Sequence, residues 1–115
     1  MLTLKGMMTA LDGELLTPEM NLETECAKFF ASDLMSDVLA FIQPGSILMT
    51  GLVNTHVVRT ARLVEVAAIV IVQGKRPERK VIDEAREHNV PIIATGCSMF
   101  EACSRVSGSF LKGRR

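Results

Sequence analysis

The sequence predicts a three-layer α/β/α domain built on a mixed, mainly parallel sheet of about five strands. Three observations predict it. Over residues 46–106, short apolar runs alternate with amphipathic helical patterns, the runs being 47–50, 67–72 and 91–95. The middle run, Ala67-Ala68-Ile69-Val70-Ile71-Val72, is continuously apolar and rich in β-branched residues, as expected of a strand buried on both faces. Each run also ends in a small or glycine-containing corner that opens a helix: Thr50-Gly51, Gln73-Gly74-Lys75 and Thr95-Gly96-Cys97-Ser98. Two strand–helix–strand units in succession imply right-handed crossovers and parallel strands. All three corners then fall at one sheet edge, beyond the strand C-termini, and helices cover both faces.

The elements follow in order. Leu4, Met7, Met8 and Leu11 recur at helical spacing, with Thr3 as a cap and Asp12-Gly13 as the stop. Residues 14–17 form a short strand that Pro18 breaks, and residues 25–31 a second. These two extend the sheet at one side, with an antiparallel member. Ser32 and Asp33 are N-cap candidates for a helix over 34–42. Leu34, Val38 and Phe41 lie on one face of it, Met35 and Leu39 beside them, and Pro44-Gly45 ends it. Asn54 or Thr55 caps the next helix, whose Val57, Val58, Ala61, Val64 and Leu63 face inward. Pro77 suits a helical first turn. Val81, Ile82 and Ala85 form the inner stripe there, with Arg79–Asp83 and Lys80–Glu84 paired on the outer face. Val90-Pro91 forces an extended backbone into the last strand. Ser98 and Glu101 then form a capping box, Met99, Phe100, Cys103 and Val106 face inward, and Gly108 closes the helix. The domain is expected to span residues 1–108, with 109–115 a basic, flexible tail.

Composition narrows the function. The 115 residues carry 13 basic and 13 acidic side chains, a formal net charge of zero. That argues against nucleic-acid or membrane-surface binding through bulk charge. The charge is unevenly placed: residues up to Asp37 hold two basic and seven acidic groups, and 53–80 hold six basic and two acidic. A basic middle suggests a local anion site or a partner surface, or simply a solvated face. Three cysteines and no leader pattern point to a reducing, cytoplasmic setting. No apolar run approaches the ~20 residues of a membrane span.

The carboxyl edge of an open parallel sheet is where such folds bind ligands, and helix N-termini there favour anions. The candidate anion site comprises Thr50, Gly51, Asn54, Thr55, Gly74, Lys75, Arg76, Thr95, Gly96 and Ser98. Glycines at strand-to-helix corners also serve turn geometry with nothing bound. Neither a Walker A sequence nor GxGxxG is present. His56 in a helical first turn is a candidate neutral donor or base, or an ordinary surface residue. A helix N-terminus can lower the pKa of Cys97. Cys97 and Cys103 lack metal-ligand spacing, so no metal or other cofactor is expected. Asp33, Asp37, Glu65 and Glu101 are scattered, without an acid/base pair.

Several segments carry a family resemblance. They are Val57-Val58-Arg59-Thr60-Ala61 through Leu63, Ala67-Ala68-Ile69-Val70, Gly74-Lys75-Arg76-Pro77, Pro91-Ile92-Ile93 and Ser98-Met99-Phe100-Glu101-Ala102. Together they resemble the DRTGG domain, in particular its short stand-alone type associated with iron-only hydrogenase systems. The pattern from Leu4 to Leu16, followed by Ala31-Ser32-Asp33-Leu34, is also similar to the N-terminal domains of HPr kinase/phosphorylase and of Mur ligases. The resemblance implies the same three-layer fold and a companion or regulatory role. The sequence departs from the name-giving motif. Leu52-Val53-Asn54 stands where an Asp-Arg pair is expected, and Val72-Gln73-Gly74 where Thr-Gly-Gly is expected. Those polar roles do not carry over. The kinase half of HPr kinase has no counterpart in this sequence.

Three functions follow as alternatives. The first is a non-enzymatic regulatory or ligand-sensing module, homodimeric, with a small anionic ligand or nucleotide. The second is an adaptor in hydrogenase maturation or electron transfer, whose basic middle meets a hydrogenase-linked partner. The third is a small enzyme using His56 or Cys97 at the sheet edge.

Overall fold

A computed structural model describes residues 2–17 and 20–113, with side chains through residue 108. The elements run α1 (Leu4–Leu11), β1 (Glu14–Leu15), β2 (Phe29–Ala31), α2 (Met35–Phe41), β3 (Ile47–Thr50), α3 (Thr55–Leu63), β4 (Ala68–Ile71), α4 (Arg79–Glu87), β5 (Ile92–Ala94) and α5 (Met99–Gly113). The sheet order is β1-β5-β4-β3-β2. β2, β3, β4 and β5 are parallel, and β1 joins β5 antiparallel.

This is the expected mixed α/β sheet, with one rearrangement. The two N-terminal strands do not sit at one side: β1 forms one edge and β2 the other. β2 is parallel, so its C-terminus reaches the same edge as the three later corners. It is also shorter than expected. Cys26 N–H donates to Leu2 O at 2.7 Å and Glu25 bridges Thr3, which ties residues 25 and 26 to the N-terminal segment instead of the sheet.

Alternation along the strands divides the interior into two cores. Ile47, Met49, Ala68, Val70, Val72 and Ile93 pack with Leu4, Met7 and Leu11 of α1 and Ala102 and Val106 of α5. Leu48, Ile69, Ile71 and Ile92 pack with α2, α3 and α4 through Met35, Val38, Val57, Val58, Ala61, Val81 and Ala85. Period-two projection to two apolar layers is why the central strands read as unbroken hydrophobic runs.

The caps follow local chemistry. Thr3 Oγ1 accepts from Gly6 N–H at 3.1 Å, and Asn54 Oδ1 from Val57 N–H at 3.1 Å. Ser98 and Glu101 close the capping box, each bond 3.1 Å. Elsewhere the structure corrects expectation. Leu34 is the N-cap of α2 and its side chain makes no cap bond. Phe41, Leu63 and Phe100, expected inward, are exposed, as are Leu34 and Leu39. Helix α4 starts at Arg79, two residues after Pro77. Glu84 pairs with Arg59 of α3 instead of Lys80, whereas Arg79–Asp83 forms at 3.9 Å. Helix α5 runs through Gly108 to Gly113, since one exposed glycine costs a helix only about 1 kcal/mol. The expected break at Pro18 and the tail residues 114–115 lie outside the described residues.

Candidate functional site

Four parallel strands end at one edge, and a chain corner follows each. After β2 comes Ser32-Asp33, after β3 Thr50-Gly51, after β4 Gln73-Gly74-Lys75, and after β5 Thr95 to Ser98. Asp33 organises the first pair of corners. Its Oδ1 accepts from Gly51 N–H at 2.7 Å and from Thr50 Oγ1 at 2.9 Å. Thr50 Oγ1 in turn accepts from Leu52 N–H at 3.2 Å. From the next corner, Lys75 Nζ donates to Gly51 O at 3.1 Å. Gly51 lacks a side chain at the point between the two charges. A Cβ there would lie 3.5 Å from Asp33 Oδ2 and 3.5 Å from Lys75 Nζ. The Gly51 amide holds the Asp33 carboxyl below its ordinary pKa; burial opposes it, and the Thr50 hydroxyl and the Lys75 charge add smaller contributions in the same direction as the amide.

The remaining corners are bound to each other. Gln73 N–H donates to Cys97 O at 2.7 Å and Gly74 N–H to Thr95 O at 2.9 Å. Both residues are left-handed, with φ of 65° at Gln73 and 68° at Gly74. The buried Thr95 hydroxyl donates to Leu11 O at 2.7 Å and accepts from Cys97 N–H at 3.1 Å. A bond from the Ser98 amide holds the Glu101 carboxyl below its ordinary pKa. Beside Gly96 lies a cleft of about 190 Å³ lined by Leu11, Asp12, Gly96, Cys97, Glu101 and Arg105.

Thus the ten residues expected to form one anion site are distributed. Thr50, Gly51 and Lys75 meet around Asp33. Gly74 and Thr95 meet one corner over, next to Gly96 and Ser98. Asn54 is occupied as the cap of α3, and Thr55 opens that helix. Arg76 turns away to a two-pronged ion pair with Glu14 of β1, at 3.2 and 3.0 Å. Most corner amides already have protein acceptors, so the polar capacity left at this edge rests on side chains. Asp33 was expected to be a helix cap or an isolated carboxylate. The signal that finds it is the small-polar corner Ser32-Asp33 after an apolar pair, the pattern of the other three corners.

His56 is exposed in the first turn of α3. Cys97 is buried, and its Sγ donates to Leu11 O at 3.7 Å. Among the described residues, no group of His, Cys, Asp and Glu is placed to hold a metal ion. No helix among them is long and apolar enough to cross a membrane.

Comparison with known proteins gives two findings. A family model described as the DRTGG domain matches residues 6–109. Among solved structures, the chain is similar to "the CBS and DRTGG domains of the regulatory region of Clostridium perfringens pyrophosphatase complexed with activator, diadenosine tetraphosphate". Identity is 19% and the TM-score 0.73, with 90% of this chain and 45% of that chain covered. At that identity the likeness establishes the fold, and this chain spans less than half of that one. No curated protein sequence matches.

Proposed function

This chain belongs to the DRTGG-domain family, and from that premise we propose that it is a regulatory module that senses a small ligand without chemical turnover and associates as a homodimer. The observation carrying the ligand reading is the opposed charge pair at Gly51. A carboxylate and an ammonium, delivered by corners 42 residues apart in sequence (75 − 33), flank one side-chain-free backbone position. Such a pair suits a ligand bearing both hydroxyl donors and an anionic group, since carboxylates accept from hydroxyls and lysine acts as a compact charge for phosphate. A nucleotide has both. The similar pyrophosphatase regulatory region was solved with diadenosine tetraphosphate, which makes adenine nucleotides and dinucleoside polyphosphates the first class to test. Thr50, Gly74, Thr95, Gly96 and Ser98 lie along the same edge, whereas Asn54 and Thr55 are taken up at the start of α3 and Arg76 is paired with Glu14.

The non-enzymatic reading is supported by how the candidate reactive groups are placed. Cys97 Sγ faces a backbone carbonyl from a buried position, and His56 is exposed. The hydrogenase-adaptor alternative draws on the six basic side chains of 53–80. Three of them, Arg59, Arg76 and Arg79, are paired within the chain to Glu84, Glu14 and Asp83, leaving less free positive surface for an acidic partner.

Thermal unfolding with AMP, ATP and diadenosine tetraphosphate tests the reading. A binder at a hundred times its Kd stabilises by about 2.7 kcal/mol, and Lys75→Met should abolish that gain. No stabilisation by any of the three at millimolar concentration, or an equal gain in the Lys75→Met variant, would overturn the site.

A further inference from the structure

We propose that the missing side chain of Gly51 is the seat of a ligand hydroxyl, which donates to Asp33 Oδ2 and accepts from Lys75 Nζ, and that the ligand is a phosphorylated sugar. This seat rests on the ligand reading above and names the part of the ligand that the corner recognises. Gly51 is a glycine that the backbone does not demand. Gly74, at the neighbouring corner, has the left-handed φ of 68° that favours glycine, whereas Gly51 is not among the positive-φ residues. Nor does packing exclude a side chain. The atoms nearest a Cβ at Gly51 would be Asp33 Oδ2 at 3.5 Å, Lys75 Nζ at 3.5 Å and Asp33 Oδ1 at 3.6 Å, all ordinary contact distances. Alanine would fit, and it would fill the space shared by a carboxylate and an ammonium. A glycine just past a strand, with room for a methyl, suits the close approach of a ligand to the backbone.

Hydrogen-bonding capacity decides what that space can take. Asp33 Oδ1 is used twice, by Gly51 N–H and Thr50 Oγ1, while Oδ2 accepts no hydrogen bond among the described residues. An ammonium has three protons, and Lys75 gives one of them to Gly51 O at 3.1 Å. The two charged groups do not close on each other. The ion pairs among the described residues are Arg59–Glu84, Arg76–Glu14, Arg79–Asp83 and Arg86–Asp83. An open carboxylate oxygen and the open protons of an ammonium therefore stand around one point. Asp33 and Lys75 are exposed and Gly51 is buried, so an arriving ligand meets the charged groups before the backbone.

An atom at that point must accept from the ammonium and donate to the carboxylate. A phosphate or carbonyl oxygen cannot donate, and a ligand ammonium cannot accept, but an alcohol does both. The remaining Lys75 proton and its charge then suit an anionic group on the same ligand. A hydroxyl close to a phosphate is the chemistry of a sugar phosphate, and the ribose phosphate of a nucleotide supplies it whatever the base. A methyl at residue 51 would put an apolar group in the hydroxyl's place and leave Oδ2 and Nζ without their ligand bonds. Polar groups left unpaired in this way are a strong basis for discrimination. Gly51 is thus a specificity-determining position, and Asp33 and Lys75 are the groups that touch the ligand.

Calorimetric titration of the whole chain with ATP and with dideoxy-ATP, which lacks both ribose hydroxyls, is the test. Wild type should bind dideoxy-ATP roughly tenfold or more weakly than ATP. Gly51→Ala should weaken ATP binding by a similar factor, with a urea midpoint equal to or above that of wild type because the backbone there suits alanine. The two losses should not add, since both remove the same interaction. Gly51→Ala should therefore bind ATP and dideoxy-ATP within about threefold of each other. Equal binding of ATP and dideoxy-ATP by wild type, or undiminished ATP binding by Gly51→Ala, overturns the seat while the ligand reading stands. Fully additive losses overturn the shared point in the same way. No binding of ATP at millimolar concentration overturns the seat, and if AMP and diadenosine tetraphosphate also fail to bind, the ligand reading falls with it.

Discussion

Removing the Asp33 carboxylate should loosen the first two corners by an amount the geometry sets. Asp33 Oδ1 accepts from the buried Gly51 amide at 2.7 Å and from the buried Thr50 hydroxyl at 2.9 Å. Hydrogen bonds to a charged group contribute about 1.5–3 kcal/mol each when shielded. Asp33 itself is exposed, so solvent screens much of the charge contribution. Asp33→Ala strands two buried donors and should cost about 2 kcal/mol in total. Asp33→Asn keeps a neutral acceptor and should cost under about 1 kcal/mol. The chain has neither Trp nor Tyr, so urea unfolding is best followed by far-UV circular dichroism, with an unchanged m-value confirming that stability alone has moved. The pH dependence has a definite sign. The folded-state pKa of Asp33 is lowered from the ordinary 3.8, so its stabilisation is complete above the unfolded pKa and is lost as pH falls through the folded one. The gap between wild type and Asp33→Asn should therefore be constant at neutral pH and close below about pH 4. An Asp33→Ala variant as stable as wild type, or a gap that widens in acid, would refute the reasoning.

Three other perturbations probe the same framework. Thr95→Val removes the hydroxyl that serves Leu11 O and Cys97 N–H and should cost about 2–3 kcal/mol in urea unfolding, while Thr95→Ser should stay within about 1 kcal/mol of wild type. Gln73 holds φ of 65°, so Gln73→Gly should stabilise by about 0.5–1 kcal/mol, read as a higher urea midpoint, once the greater freedom of the unfolded chain is subtracted. Burial pushes the Cys26 thiol up to about 11, so iodoacetamide at pH 8 should spare Cys26 and modify the partly exposed Cys103 first, with peptide mass mapping as the readout.

The sheet was legible where tertiary and local signals agree. Runs buried on both faces need apolar residues at every position, and 68–71 meets that demand along its whole length. The edges were harder. β1 has two residues and β2 three, too few for periodicity to fix pairing partners or direction. That is why both strands were expected on one side. The helix faces failed in a particular way. Leu34, Phe41, Leu63 and Phe100 have the hydrophobicity of core residues, and a periodicity argument assigns them inward. Leu34, Phe41 and Leu63 are exposed at the ends of helices of seven and nine residues, and Phe100 in the first turn of the 15-residue α5, where Ala102 and Val106 are the buried positions. Such residues are legible only as a surplus over what the two cores can hold.

The site shows why a motif and a geometry are different kinds of information. The Gly74 amide is already donated to Thr95 O. Gln73 adopts the left-handed backbone without being a glycine, so the corner's shape does not depend on the residue type that most readily takes it. Lys75 was visible as a charge at a corner, but its direction toward Gly51 O depends on the spacing between two adjacent strands. Asp33 lies 17 residues before its partner Thr50, and only the parallel placement of β2 brings them together. Once β2 is parallel, an acidic residue immediately beyond its end must arrive at the ligand edge. The single topological fact that short edge strands conceal in sequence is therefore the one that turns an isolated carboxylate into half of a charge pair.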